Sequence, residues 1–411
     1  PTILYPNIST TGKANTTSNH TKRAMTKRAL LCGCNYPGSS AALNGCVNDV
    51  NRMRAMLMEH FGFSDADIEV LIDTDSSYTS PTGGNIRRKL TEKVNVSEPG
   101  DVLVFHFSGH GSQVPSRTGQ EHDGKDECIC PTDMNVILDD DLRRILTPLK
   151  DGVNFTMIAD CCHSGTMLDH TEVQIEGNKD PNAADMPDLG SLAAMFGLKD
   201  IQGGNRGLEI KNRSLPTETL FQLLGQSSGG KVDATNIHST ITNLFGADAS
   251  PMIQQIATIA LPMLMESLSG AGQSSGGSGG GGGGSAGAMS SCLPMLMGML
   301  CGGGGSSGGS GNASGGAAGG GAGQAYQVPN VPLPGQKPPA SEQLADDKGI
   351  LITGCQSHET SADACPSADK SQAYGALSNA IQTVVKTHMA NNPGQPLIYR
   401  DLVLIVRKTL L

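Results

Sequence analysis

The stretch Asp101–Gly111, DVLVFHFSGHG, decides how this chain is read. Val102 to Phe107 is apolar apart from His106, a run that suits a strand covered on both faces, as in a parallel sheet. Ser108-Gly109-His110-Gly111 then breaks the run and leaves His110 at the strand's carboxyl end. In open α/β sheets that end is where ligands bind.

Working outward, strands alternate with helices. Arg28 to Gly33 reads as a first strand, closed by the Asn35-Tyr36-Pro37-Gly38 turn. Leu43, Cys46, Val47, Val50, Met53, Leu57 and Phe61 then recur at helical spacing. Ile68 to Ile72 is a second strand, and a short amphipathic helix follows near Ile86 to Val94. The opening stretch is the third strand and Phe155 to Ala159 the fourth. Between them lies an acidic loop, Glu121 to Asp133, and a short helix led by Asp139-Asp140-Asp141, where the helix dipole favours acids. Gly349 to Thr353 is a fifth strand, followed by helices around Leu377–Val385 and Tyr399–Leu410. This alternation predicts an α/β fold with a mostly parallel central sheet.

Not all of the chain is packed. It has 411 residues with 54 glycines and 17% charged residues, and Gly270 to Gly323 is a glycine and serine tract unable to bury a core. Two apolar pieces, Met252–Met265 and Met289–Met299, are too short to span a membrane and are expected to dock as helices. The expected organisation is 1–24 as a leader or cloning remnant, 25–175 as a large segment and 176–347 as a linker containing the tract. Residues 348–411 form a small segment whose strand completes the sheet. A net charge of −10 argues against nucleic-acid and anionic-membrane partners and favours cationic substrates. The 11 cysteines form no dense framework, which points to reduced thiols in a cytoplasmic or nuclear setting. The apolar piece Ala29–Cys32 is too short for a signal-peptide core.

The fourth strand ends in Asp160-Cys161-Cys162-His163-Ser164-Gly165, and Cys162 follows His110 by the roughly 50 residues usual in caspase-like proteases. Neighbouring parallel strands would bring both side chains to one sheet edge. His106 and His110 are spaced as a zinc pair would be on a helix, but on a strand His106 is expected to be a packed, hydrogen-bonded histidine.

His-Phe-Ser-Gly-His-Gly together with Asp-Cys-Cys-His-Ser-Gly resembles the catalytic pair of the metacaspases, cysteine proteases of the caspase-like clan. The similarity also takes in Gly45-Cys46-Val47-Asn48-Asp49-Val50, Asp126-Glu127-Cys128-Ile129, Asp139-Asp140-Asp141 and Gly354-Cys355-Gln356. The long insertion, without a Pro-rich or zinc-finger prodomain, resembles the type II subgroup. The resemblance implies a caspase-like αβα sandwich and a Cys162–His110 dyad, with the Asp-x-Cys-His-Ser-Gly pattern selecting Cys162 over Cys161. It also implies an oxyanion held by the backbone N–H groups of Gly111 and Cys162. Cys46, Asp49, Ser108 and Asp160 are implied to line an acidic pocket for Arg or Lys before the scissile bond, and Asp363 is a further candidate. Asp126, Asp139, Asp140 and Asp169 are implied to hold an activating calcium ion, although Asp139 and Asp140 also suit helix capping.

By the same resemblance the chain is a zymogen that cuts its own linker after a basic residue. Lys179, Lys199, Arg206, Lys211, Arg213 and Lys231 are candidates, with Lys231 preferred. The expected partners are protein or peptide substrates, and the expected state is a monomer. Two other readings stay open: a legumain-like protease with Asn preference, and a catalytically silent, calcium-responsive interaction protein.

Overall fold

The computed structural model describes residues 3–4, 23–116, 124–162, 209–255, 349–355, 361–367 and 369–410. Its central sheet contains β1 (Lys27–Gly33), β2 (Ile68–Ile72), β3 (Val102–Ser108), β4 (Asn154–Asp160) and β5 (Ile350–Thr353). Their order is β5-β4-β3-β1-β2 and every pairing is parallel. Both faces are covered, as the apolar run of β3 requires. Its side chains alternate between them: Leu103, Phe105 and Phe107 enter one core with Leu30, Cys32, Phe155 and Met157, while Val104 enters the other with Ala29, Leu31 and Ile158.

Helices α1 (Cys46–Phe61), α6 (Ala376–Asn391) and α7 (Tyr399–Leu410) cover one face through Met53, Leu57, Ile381, Val385, Leu402 and Val406. The helices α2 (Gly83–Val96), α3 (Asp139–Leu146), α4 (Thr217–Ser228) and α5 (Ile237–Phe245) cover the other. Local sequence sets several of their ends. Gly62 closes α1 at φ 64, a left-handed conformation glycine adopts without a Cβ penalty. Thr82 caps α2 by accepting the Asn85 N–H at 3.3 Å. At α3 the Asp141 carboxylate accepts the Leu138 N–H at 3.2 Å. The result is an αβα sandwich, as expected.

Two regions depart from the sequence expectation. The acidic loop is in part a strand: Lys125–Cys130 pairs antiparallel with His110–Pro115, with His110 opposite Cys130, and on its other side with Ile137–Leu138. Asp126 and Glu127 gave the segment a loop-like composition, yet both are buried, and Cys128, Ile129 and Cys130 belong to the core. The expected linker is likewise partly core. Leu215, Leu220, Leu224, Ile237 and Ile241 are buried in the same cluster as Phe105. Of the apolar piece Met252–Met265, Met252 and Ile253 are buried on a helical turn, as anticipated, and the rest lies outside the described residues, as do the glycine tract and Met289–Met299. Ile3–Leu4, within the stretch set aside as a leader, pairs antiparallel with Leu397–Ile398.

The sheet register positions the site. Gly33 pairs with Ser108 and Ser108 with Asp160, so β1, β3 and β4 end at one level.

Candidate active site

His110 begins the strand that leaves β3, and its surroundings explain the Asn35-Tyr36-Pro37-Gly38 motif. Its backbone N–H donates to Tyr36 Oη at 2.8 Å, and that hydroxyl donates to the Cys130 carbonyl at 2.6 Å. The Tyr36 ring lies 4.9 Å from the imidazole, centroid to centroid. Tyr36 has φ 50, uncommon for a non-glycine residue, and Asp73 holds the turn by accepting the Asn35 and Tyr36 N–H groups at 2.9 and 2.8 Å. His110 Nε2 is 2.8 Å from the Ala41 carbonyl, so Nε2 carries the proton and Nδ1 is the basic nitrogen. Burial lowers the pKa of the ring, opposed by its interactions with the Ala41 and Arg213 backbone.

Cys161 and Cys162 diverge at the end of β4. Cys161 joins the hydrophobic core, whereas Cys162 Sγ accepts the Ser361 N–H at 2.9 Å and lies 3.3 Å from Asn212 Oδ1. The sulfur therefore faces the segment 209–215, which runs through the site in extended form. Glu209–Asn212 pairs antiparallel with Ala362–Cys365. Beyond it, the Gly111 N–H donates to the Arg213 carbonyl at 3.0 Å, and the Leu215 N–H donates to the Gly111 carbonyl at 2.9 Å. Gly111 must be glycine here, since a Cβ would stand 1.7 Å from the Cys162 carbonyl oxygen.

The side chain of Arg213 fills the pocket expected for a basic residue. Its Nη2 lies 2.9 Å from Asp49 and 3.0 Å from Asp363. Its Nη1 reaches Ser108 Oγ at 2.8 Å, the Asp160 carbonyl at 3.0 Å and the Asp160 carboxylate at 3.2 Å. All four side chains of this charged cluster are buried. Each carboxylate is also fixed from behind: Asp49 by the Gly375 N–H, Asp160 by Ser361 Oγ and the Ser378 N–H, and Asp363 by the Asn44 and Gly45 N–H groups. Burial pushes Asp49 up to about 6, with Arg213 drawing it down and Asp160 pushing it further up. Burial works against the Arg213 charge too, but Asp160, Asp49 and Asp363 hold its proton well above the usual arginine range. Cys46 lies beside this cluster as a buried thiol, its pKa raised chiefly by desolvation.

The remaining expectations divide. His106 is a buried histidine, 3.1 Å from Ser378 Oγ. Lys231 is exposed beyond the end of α4, and the basic side chain in the pocket is Arg213. Lys211 bonds the Ala42 carbonyl at 2.9 Å. Lys179, Lys199, Arg206, His163 and Asp169 lie outside the described residues. Asp126 and Asp139 are buried at one end of the paired strands Lys125–Cys130 and Ile137–Leu138, while Asp140 pairs with Arg143 at 3.0 Å. Among the described residues no group of three or more His, Cys, Asp or Glu is gathered as a metal site. Sequence reasoning had no specific signal for the Ala41 carbonyl or the Ser361 N–H, both backbone groups, nor for Arg213 as the pocket's occupant.

Residues 27–171 match the family model described as the metacaspase, peptidase C14 domain. Metacaspase-4 of Arabidopsis thaliana is 36% identical over 399 residues, covering 88% of this chain and 90% of that protein. The chain belongs to the metacaspase family. Metacaspase-6 of the same plant is also 36% identical, with 94% of each chain covered, and Metacaspase-1B of Neurospora crassa is 37% identical over 53% of this chain and 55% of its own. This metacaspase is thus a cysteine-type peptidase of the caspase clan. Among its described residues no helix is long and apolar enough to cross a membrane.

Proposed function

We propose that this metacaspase is a calcium-activated endopeptidase of type II that cuts after Arg or Lys, and that it is made as a zymogen activated by cleaving its own Arg213–Ser214 bond. The observation that carries the reading is the pose of Arg213, with its guanidinium among Asp49, Asp160 and Asp363 and its carbonyl on the Gly111 N–H. Three buried carboxylates complement a cation and would be left unneutralised by Asn, which counts against a legumain-like preference. Arg213 replaces Lys231 as the self-cleavage candidate on the same ground.

In this mechanism His110 Nδ1 takes the Cys162 proton and Sγ attacks the Arg213 carbonyl carbon. The Gly111 N–H stabilises the developing oxyanion, and the imidazolium protonates the Ser214 nitrogen as the C–N bond breaks. Water then hydrolyses the thioester. Calcium would be held by Asp126, Asp139 and Asp140 with Asp169. This is an oxygen-donor set suited to a hard cation. The nine described cysteines are all free thiols, which suits a reducing cytoplasmic or nuclear compartment. The enzyme acts as a monomer on protein substrates.

The test compares the parent with Cys162→Ala on fluorogenic Arg, Lys and Asn peptides, with calcium and with excess chelator. Turnover of Arg and Lys peptides by the parent in calcium alone supports the reading. Equal turnover by Cys162→Ala removes the nucleophile assignment, and full activity in chelator removes calcium.

A further inference from the structure

If Arg213–Ser214 is the bond cut, as proposed above, the two sides of the cut are held very differently. Glu209, Ile210 and Asn212 on the N-terminal side are exposed, and beyond their backbone ladder that side is held by polar contacts: the Arg213 side chain in its pocket, Lys211 on the Ala42 carbonyl, Asn212 against Cys162 Sγ and the Gly111 N–H on the Arg213 carbonyl. The C-terminal side is built into the fold. Leu215 is 3% exposed, its N–H donates to Gly111, and its carbonyl accepts from Ser112 Oγ at 2.8 Å. Two residues on, Thr217 Oγ1 donates to the Gln113 carbonyl at 2.9 Å and opens α4, whose Leu220 and Leu224 are fully buried. The burial of these leucines holds the segment in place and does not depend on the cut bond.

We infer that after the cut the Ser214 α-amine stays beside Cys162 as a resident acyl acceptor, and that this gives the metacaspase a transpeptidase activity. In the uncut chain the Ser214 N–H donates to Asn212 Oδ1 at 2.8 Å, and the same oxygen is 3.3 Å from Cys162 Sγ, so the nitrogen and the sulfur share one acceptor. When an Arg or Lys peptide acylates Cys162, the neutral amine attacks the thioester carbonyl. The C–N bond forms, the C–S bond breaks, and the amine proton passes through His110 to the departing sulfur. No oxidant or energy source is required, since a thioester is exchanged for an amide. With the Arg213 acyl group the step reseals the chain. With an incoming substrate it joins the substrate's N-terminal part to Ser214. Well-oriented neighbouring groups reach effective molarities of about 10⁵ M or more, enough to compete with water. The amine acts only unprotonated, so the yield rises with pH through an α-amino pKa of about 8.

The experiment activates the full chain with calcium, maps its fragment termini by mass spectrometry, and then adds an N-acetylated peptide ending in an arginine amide at pH 6.5 and 8.5. The expected result is a Ser214-headed fragment that gains the mass of the acyl peptide at its N-terminus, with a larger fraction modified at pH 8.5. A peptide hydrolysed at both pH values while that fragment keeps its mass, or acylation confined to lysine side chains, overturns the transpeptidase. A fragment that begins elsewhere than Ser214 overturns instead the self-cleavage reading on which the transpeptidase rests.

Discussion

Replacing Arg213 by Ala tests the pocket most directly. The guanidinium has five polar contacts, to Asp49, Asp363, Ser108 and twice to Asp160, all in buried surroundings. Removing it leaves three carboxylates that keep their backing donors but lose their counter-ion. Breaking a buried ion pair from one side costs about 3–5 kcal/mol, which for a domain of this size lowers the melting temperature by about 6–20 °C. The cost depends on pH. Asp49 already has a raised pKa, so the folded state binds more protons than the unfolded state between about 4 and 6, and stability falls as pH rises through that window. Without Arg213, which draws the Asp49 pKa down, Asp49 holds its proton to still higher pH, and the window widens upward. Melting curves on the Cys162→Ala background, which would remove the proposed self-cleavage, should therefore show Arg213→Ala less stable, with a larger deficit at pH 8 than at pH 5. In the active background Arg213→Ala should yield no fragment beginning at Ser214. Arg213→Lys should still yield it, more slowly, because an ammonium cannot match the guanidinium's spread of donors. Coincident melts at pH 8, or an unchanged Ser214 terminus from Arg213→Ala, would refute the assignment of Arg213 to the pocket.

Two further outcomes follow from the site. Gly111→Ala places a methyl group 1.7 Å from the Cys162 carbonyl oxygen, so the backbone at Gly111 and Cys162 cannot both keep their positions. Turnover of an Arg peptide should fall by on the order of a hundredfold or more, and undiminished turnover would remove Gly111 from the oxyanion role. Burial lowers the His106 pKa to about 4, so the stability of its neutral form is complete above pH 6.5 and is lost as pH falls toward 4, by about 3 kcal/mol. His106→Gln should flatten the acid limb of a stability–pH curve by that amount, and an unaltered limb would mean that His106 contributes nothing to it.

Much of this arrangement was legible in the chain itself. The five sheet strands are marked by apolar runs, and α1 by apolar residues at helical spacing, because burial on known faces imposes a period. His110 and Cys162 were legible because each follows such a strand and has glycine close by in the sequence. Lys125–Cys130 was obscured because Asp126 and Glu127 are charged residues that the fold buries. Arg213 was obscured for another reason: Lys211-Asn212-Arg213-Ser214 is polar and aperiodic, and what makes Arg213 special is three carboxylates contributed by Asp49, Asp160 and Asp363 from distant parts of the chain. Lys231 looked better in one dimension because it precedes an apolar helix, yet it lies on the surface.

The dispersed origin of the pocket also bears on when the enzyme can first act. Asp363 follows Arg213 by 150 residues, and Ser361, whose N–H meets the Cys162 sulfur, follows that cysteine by 199. At about 5–20 residues per second, a ribosome takes roughly 10–40 s to cover such distances. During that interval the emerging polypeptide carries Cys162 and His110, the proposed nucleophile and base, without Ser361 and Asp363. On the proposed mechanism, the timing of synthesis would delay proteolysis until the segment carrying Ser361 and Asp363 has been made.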